Sequence, residues 1–180
     1  MQYKMKVLLT LIACLLIILP LYIILHECGH ALISVLCGAK ILDLSILNAH
    51  IVTEGGDYNQ FTSSLMNAAG MLLPVVLAFV SVLLYHKEKE SVLYRILSFY
   101  FWLVSLSSTL AWLIIPVIYM SGNAPASEDV TKFLDNSGIS PMWVMISILL
   151  IQAALFLLAW NKKIIHNYLL VLKPITNKPN

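Results

Sequence analysis

The chain has 180 residues, of which 60% are hydrophobic and 11% are charged, and its formal net charge at pH 7 is +2. Soluble domains carry roughly 25% charged residues, so this composition excludes an ordinary soluble protein and indicates an integral membrane protein. The length accommodates about four spans of ~20 residues with short loops, and no appended soluble domain of normal size. We therefore expect a single integral membrane domain over residues 1–180.

The first predicted span is an almost unbroken apolar stretch over residues 7–36, interrupted by Pro20 and by a polar group that begins at His26. At ~1.5 Å per residue, a helix of this length reaches about 45 Å, enough to cross the hydrocarbon core of a bilayer. Pro20 is expected to kink it. A cleaved lipoprotein signal ending at Cys14 is the alternative, but the sequence after Cys14 stays apolar, so we expect a retained helix.

The spacing of apolar residues changes after the first span. The change covers residues 41–53, where a polar residue separates Leu42 from Leu44. Alternation of this kind is typical of a strand, so we predict a short β-hairpin with Gly55-Gly56 in a turn. Its open edge could pair with an extended substrate, while a loop on the membrane surface is an equally open interpretation.

Three further apolar stretches predict the remaining spans. They lie at about residues 61–85, 92–119 and 142–160. The third of the four spans is expected to end near Pro116. A long polar connection over residues 122–141 precedes the last span, and a basic tail is expected from Asn161 onward.

The second span carries polar and helix-loosening residues in its first half, namely Asn67, Gly70 and Pro74. A polar amide at membrane depth needs a partner, which can be a neighbouring helix, a water or a substrate backbone. Asn67 is therefore a candidate substrate-binding residue, beside an equally open structural role, whereas Gly70 and Pro74 are expected to be structural.

A His-Glu-x-x-His motif lies in the first span, at His26, Glu27 and His30. Histidines four positions apart on a helix project from one face and can bind one cation together. Glu27 lies about 100° round the helix, where its carboxylate can reach a metal-activated water. The spacing predicts a zinc hydrolase site with Glu27 as general base and a third protein ligand from elsewhere. Hydrogen-bonded buried histidines, or a haem or di-iron site, are the alternatives.

The basic residues predict the orientation of the spans. Nine of the eleven lysines and arginines fall on one face of a four-span arrangement, namely Lys4, Lys6, Lys87, Lys89, Arg95, Lys162, Lys163, Lys173 and Lys178. Because basic residues mark cytoplasmic loops, we expect a multi-pass plasma-membrane protein with both termini in the cytoplasm. The late end of the first span faces the other side, from which the third ligand should come. The candidates there are Asp129, Glu128, Asp135, His50, Glu54 and Asp57.

Two short stretches carry a family resemblance. They are His26-Glu27-Cys28-Gly29-His30-Ala31-Leu32 and the segment over residues 127–134. The first is similar to the metal-binding helix of the site-2 protease family of intramembrane zinc metalloproteases, and the second resembles the place where small members supply an aspartate. The resemblance implies Zn²⁺ as the cofactor and Asp129 as the third ligand. A structural interpretation of Ser127-Glu128-Asp129, as the cap and first turn of a short helix, stays open.

The sequence thus predicts an intramembrane zinc metalloendopeptidase that cleaves peptide bonds in or next to the membrane, with Glu27 as general base. The expected partners are the lipid bilayer and a membrane-embedded or membrane-adjacent protein or peptide substrate, and no nucleic acid. The alternatives are a non-proteolytic membrane scaffold or binding protein that retains a structural metal site, a metal transporter or redox bundle, and a peptidase that uses Glu128 as its third ligand.

Overall fold

The structure is a computed structural model that describes residues 2–45 and 50–176. In chain order its elements are α1 (Gln2–Leu36), β1 (Ala39–Ser45), β2 (His50–Gly55), α2 (Gln60–Leu83), α3 (Val92–Ser108), α4 (Ala111–Met120), α5 (Asp129–Ser137), α6 (Pro141–Asn161) and α7 (Ile164–Thr176). Within this part of the chain, four stretches are long and apolar enough to cross a membrane, namely Tyr3–Leu36, Gln60–Leu83, Val92–Met120 and Pro141–Asn161. The predicted fold class, an all-α polytopic membrane protein of about four transmembrane helices with a short β-hairpin after the first, is confirmed.

The hairpin is an antiparallel pair of β1 and β2, in which Ala39 lies opposite Gly55 and Ser45 opposite His50. The sequence predicted the turn of the hairpin at Gly55-Gly56, but these residues lie at the far end of β2. Gly55 is the last residue of β2 and Gly56 follows it, so neither joins the two strands, and their positive φ angles of 74° and 93° lie where the chain leaves β2. The joining residues 46–49 lie outside the described part of the chain.

The third span is divided, because α3 ends at Ser108 and α4 begins at Ala111. The Thr109 hydroxyl at this break donates to the Leu106 carbonyl at 2.6 Å and accepts from the Gln152 amide at 2.8 Å. The predicted span over residues 92–119 matches the apolar stretch Val92–Met120, in which α4 runs past Pro116 to Met120. Neighbouring helices in a membrane bundle accommodate such a proline without ending the helix.

The polar connection over residues 122–141 contains α5, a short helix that begins at Asp129, where the sequence allowed the cap and first turn of a helix. Val130 and Leu134 stand four residues apart on α5 and are each 2% exposed, packed against Met71 and Val75 of α2. Gly138 ends α5 in the left-handed conformation at φ 64°. Two apolar residues on one face therefore suffice to dock this short helix on α2.

The predicted basic tail after Asn161 contains a helix, α7 (Ile164–Thr176), which the sequence prediction did not specify. Asn167 of α7 is buried and donates to the Tyr85 hydroxyl at 3.1 Å and to the Lys87 carbonyl at 2.8 Å. The Lys162 ammonium group, just before α7, donates to the Leu83 carbonyl at the end of α2 at 2.6 Å. The helix thus fastens the end of α2 and the segment that follows it.

Candidate metal centre

Two histidines on one face of α1 form the first half of the site. His26 and His30 stand four residues apart, and their Nε2 atoms approach to 3.1 Å. Their rings meet edge to face, with centroids 4.8 Å apart. The helical spacing read from the sequence therefore brings the two ring nitrogens together as expected.

Asp129 supplies the second half from the first turn of α5. Its Oδ2 atom lies 3.3 Å from His26 Nε2 and 3.2 Å from His30 Nε2. The three atoms form a nearly equilateral triangle, an arrangement that can hold a metal ion. As the first residue of α5, Asp129 also suits the helix dipole, so the short-helix interpretation and the ligand interpretation are compatible.

The other candidates for the third ligand lie outside this group. They are Glu128, Asp135, His50, Glu54 and Asp57. Glu128 is the exposed N-cap of α5, and Asp135 accepts a hydrogen bond from the Tyr119 hydroxyl at 2.7 Å. His50 pairs with Asp43 on the hairpin at 3.5 Å. Among the described residues, only Asp129 of the six candidates joins the two histidines.

The backbone of α2 sets the tautomer of one histidine. The Nδ1 atom of His30 lies 2.8 Å from the Met66 carbonyl oxygen, which can only accept a hydrogen bond. Nδ1 must therefore carry the proton, and the Nε2 atom of a neutral His30 presents its lone pair towards His26 and Asp129. Second-sphere contacts of this type orient histidines that bind metals.

Asp129 is ionised at neutral pH. Burial alone raises the pKa of its carboxyl, but hydrogen bonds and charge interactions with His26 and His30 outweigh that effect and hold the pKa well below its usual range. A carboxylate therefore faces the two imidazoles, and its negative charge favours a cation between the three side chains.

Two glycines allow α1 and α2 to approach closely enough to build the site. A Cβ atom at Gly29 would meet the Ala69 carbonyl, with its carbon at 2.6 Å, so the two backbones touch. A Cβ atom at Gly70 would lie 2.7 Å from His26 Nε2 and would also overlap His30 Nε2. Gly70 thus keeps clear the space in which the histidine nitrogens converge.

Glu27 is buried, with 4% of its surface exposed, and lies on α1 between the two histidines in the chain. No hydrogen bond to Glu27 is formed by the described residues, which leaves the carboxylate available as a proton acceptor beside the metal ligands. This placement agrees with the predicted role of a general base, which stays a prediction.

Asn67 lies on α2, between Met66 and Gly70, and is 3% exposed. Its Nδ2 atom has no hydrogen-bond partner among the described residues. Substrate binding by Asn67 stays a prediction, and the amide is placed where such a role is feasible.

A cavity of about 870 Å³ opens elsewhere, between α2, α5 and α6, and is lined largely by apolar residues such as Leu72, Trp112 and Ile148. None of the three candidate ligands lines it. The chemistry that the ligands can support is therefore located at the α1–α2–α5 junction and not in this cavity.

Sequence reasoning missed the contributions of Met66 and Gly70. Met66 acts through its carbonyl group, which carries no side-chain signal, whereas Gly70 was assigned a structural role without any indication that it faces the histidines. The available signal was the glycine itself, because small residues in membrane-spanning helices often mark places where a neighbouring helix approaches closely. Comparisons of the chain with protein-family models, with curated proteins and with solved structures found no match.

Proposed function

We propose that this protein is an intramembrane zinc metalloendopeptidase, similar in its site to the site-2 proteases. The observation that carries the proposal is the triangle of His26, His30 and Asp129, with sides of 3.1, 3.2 and 3.3 Å. Ligand atoms about 2.0–2.2 Å from a tetrahedral Zn²⁺ lie roughly 3.3–3.6 Å apart, so the triangle needs almost no adjustment to accept the ion.

The donor set is compatible with zinc. Two imidazoles and one carboxylate are typical of catalytic zinc sites, in which a fourth position stays open for water or substrate. Zinc bound in this way lowers the pKa of a water to roughly 7 and polarises a carbonyl group. The protonated Nδ1 of His30 and the ionised Asp129 present the ligand forms that such a site requires.

Different residues of the chain have different roles in the proposed reaction. His26, His30 and Asp129 fix the position of the reacting centre against the wall formed by Gly70. Glu27 accepts a proton from the attacking water and afterwards delivers it to the leaving amine. Its burial and lack of a hydrogen-bond partner among the described residues favour this role, because a carboxylate already engaged in an ion pair is a poor base.

The substrate class follows from the setting. His26 and His30 lie inside an apolar stretch of 34 residues, so the peptide bond must reach the ligands within or at the edge of the membrane. A helical substrate must unwind there, because its carbonyl groups are otherwise hydrogen-bonded. We propose a multi-pass protein of the plasma membrane with both termini in the cytoplasm, on the basis of its basic residues, and the hairpin as a surface that can pair with unwound substrate.

The test is cleavage of a mixture of apolar peptides in detergent, followed by mass spectrometry. Wild-type protein loaded with zinc should cleave them, and Glu27→Gln should lose activity by at least about 10²-fold while it retains zinc, because only proton transfer is removed. Equal cleavage by both proteins would contradict the assigned role of Glu27. A zinc-loaded wild type that cleaves no peptide would favour the scaffold with a structural metal site, in which the ion merely ties α1 to α5.

A further inference from the structure

Asn67 holds a hydrogen-bond donor that the fold leaves unused. The residue is 3% exposed, and its Nδ2 atom has no partner among the described residues. A buried donor without an acceptor destabilises the folded state, because it has given up its hydrogen bonds to water. Neither helix packing nor capping accounts for an amide at this position, since an apolar side chain would fill the same space without that cost.

The position of Asn67 is fixed by contacts on both sides of it. The preceding residue, Met66, accepts the hydrogen bond of His30, and Gly70 lies against the Nε2 atoms of His26 and His30. Positions 67 and 70 are neighbours on the surface of α2, with Cβ sites about 5–6 Å apart. The Asn67 amide is therefore within reach of a group bound between the histidines and Asp129.

Two other buried polar atoms near the site lack a hydrogen-bond partner among the described residues, namely His26 Nδ1 and Thr131 Oγ1. His26 is itself a candidate ligand through Nε2, and Thr131 stands two residues after Asp129 on α5. Glu27 can only accept a proton or a hydrogen bond when it is ionised. Among the described residues that are not candidate ligands, Asn67 is the one whose buried side-chain N–H group has no partner.

We propose that the Nδ2 group of Asn67 donates a hydrogen bond to the carbonyl oxygen of the scissile peptide bond, an inference that rests on the proposed function. During hydrolysis the water oxygen bonds to the carbonyl carbon while a water proton passes to Glu27. The carbon–nitrogen bond then breaks, and Glu27 returns the proton to the leaving nitrogen. Between these steps the carbonyl oxygen carries negative charge, which a fixed N–H donor stabilises.

The test compares Asn67→Ala and Asn67→Asp with wild type and with Ser105→Ala. Ser105 is a matched control because its hydroxyl is also fully buried and without a partner, on α3. The readouts are cleavage of a quenched fluorescent apolar peptide in detergent micelles, affinity for a peptidyl phosphinate that mimics the tetrahedral carbon, zinc content, and the thermal midpoint of the metal-free protein.

Both Asn67 variants should lower kcat by about 10²-fold with little change in KM, because a donor to the developing oxyanion is lost. Phosphinate affinity should fall with kcat, while zinc content stays at the wild-type value and the metal-free thermal midpoint of Asn67→Ala does not fall, because the donor that is removed has no partner. Ser105→Ala should match wild type in turnover, phosphinate affinity and zinc content.

Unchanged turnover in Asn67→Ala would overturn the inference, and so would a loss of activity that merely follows a loss of zinc or of thermal stability. If zinc-loaded wild type neither cleaves the peptide nor binds the phosphinate, the proposed function fails, and this inference fails with it. The wild-type result and the variant result thus separate the two failures.

Discussion

At the scale of single residues, the two glycines at the contact between α1 and α2 have different tasks. Gly29 lies against the backbone of Ala69, whereas Gly70 lies against the ring nitrogens of His26 and His30. A backbone cannot withdraw without moving a whole helix, but a histidine ring can rotate away. A methyl group should therefore disturb the fold at Gly29 and the metal site at Gly70.

We predict that Gly70→Ala lowers zinc affinity by about 10–100-fold, which is the loss typical when contacts around metal ligands are disturbed. The metal-free protein should remain folded. Gly29→Ala should instead lower the thermal midpoint of the metal-free protein, because the methyl group would overlap the Ala69 carbonyl. Zinc titration and thermal unfolding of both variants check this. Wild-type zinc affinity in Gly70→Ala would show that the glycine does not clear space for the ligands.

The residues of the site also differ in how far the sequence alone could predict their positions. His26, Glu27 and His30 were predictable because their geometry follows from one helix. Asp129 was one of six candidates, and only family resemblance favoured it, because its approach to the histidines depends on how α5 docks on α2. The hydrogen bond from His30 to Met66 joins a side chain to the backbone of another helix, so no local pattern could indicate it.

At the scale of elements, α5 decides whether the site exists. This nine-residue helix carries Asp129, and its attachment to α2 depends on the burial of Val130 and Leu134. The edge contact of Phe133 with Trp112, at 5.3 Å between centroids, holds α5 against α4. The sequence allowed a short helix beginning near Asp129, but it did not indicate that the helix docks on α2, because only two apolar side chains, Val130 and Leu134, are buried on it.

We predict that Leu134→Ala destabilises the protein by about 2–5 kcal/mol and weakens zinc binding, although Leu134 touches no metal ligand, because α5 loses its anchor on α2. Leu169→Ala on α7 is the matched control, since Leu169 is 51% exposed. Thermal unfolding and zinc titration are the measurements. Zinc affinity equal to wild type in a destabilised Leu134→Ala would mean that α5 docking does not position Asp129.

At the scale of the whole molecule, hydropathy alone located the spans closely, because each is a long apolar helix. Hydropathy did not locate the break at Thr109, whose hydroxyl accepts a hydrogen bond from Gln152 of α6. It also did not locate α7, in which Asn167 donates a hydrogen bond to the segment after α2. These features depend on contacts between distant segments. The candidate metal centre likewise brings together residues about a hundred positions apart, from α1 and α5.

The most direct test of this account is the zinc content of detergent-purified protein for wild type, His26→Ala, Asp129→Ala and Glu27→Gln. Wild type and Glu27→Gln should each hold about one zinc per chain, and the two ligand variants should hold almost none, because two remaining ligands do not retain the ion. Folded wild type without zinc after incubation with the metal would contradict the proposed centre. Zinc retained by Asp129→Ala would contradict the assignment of the third ligand.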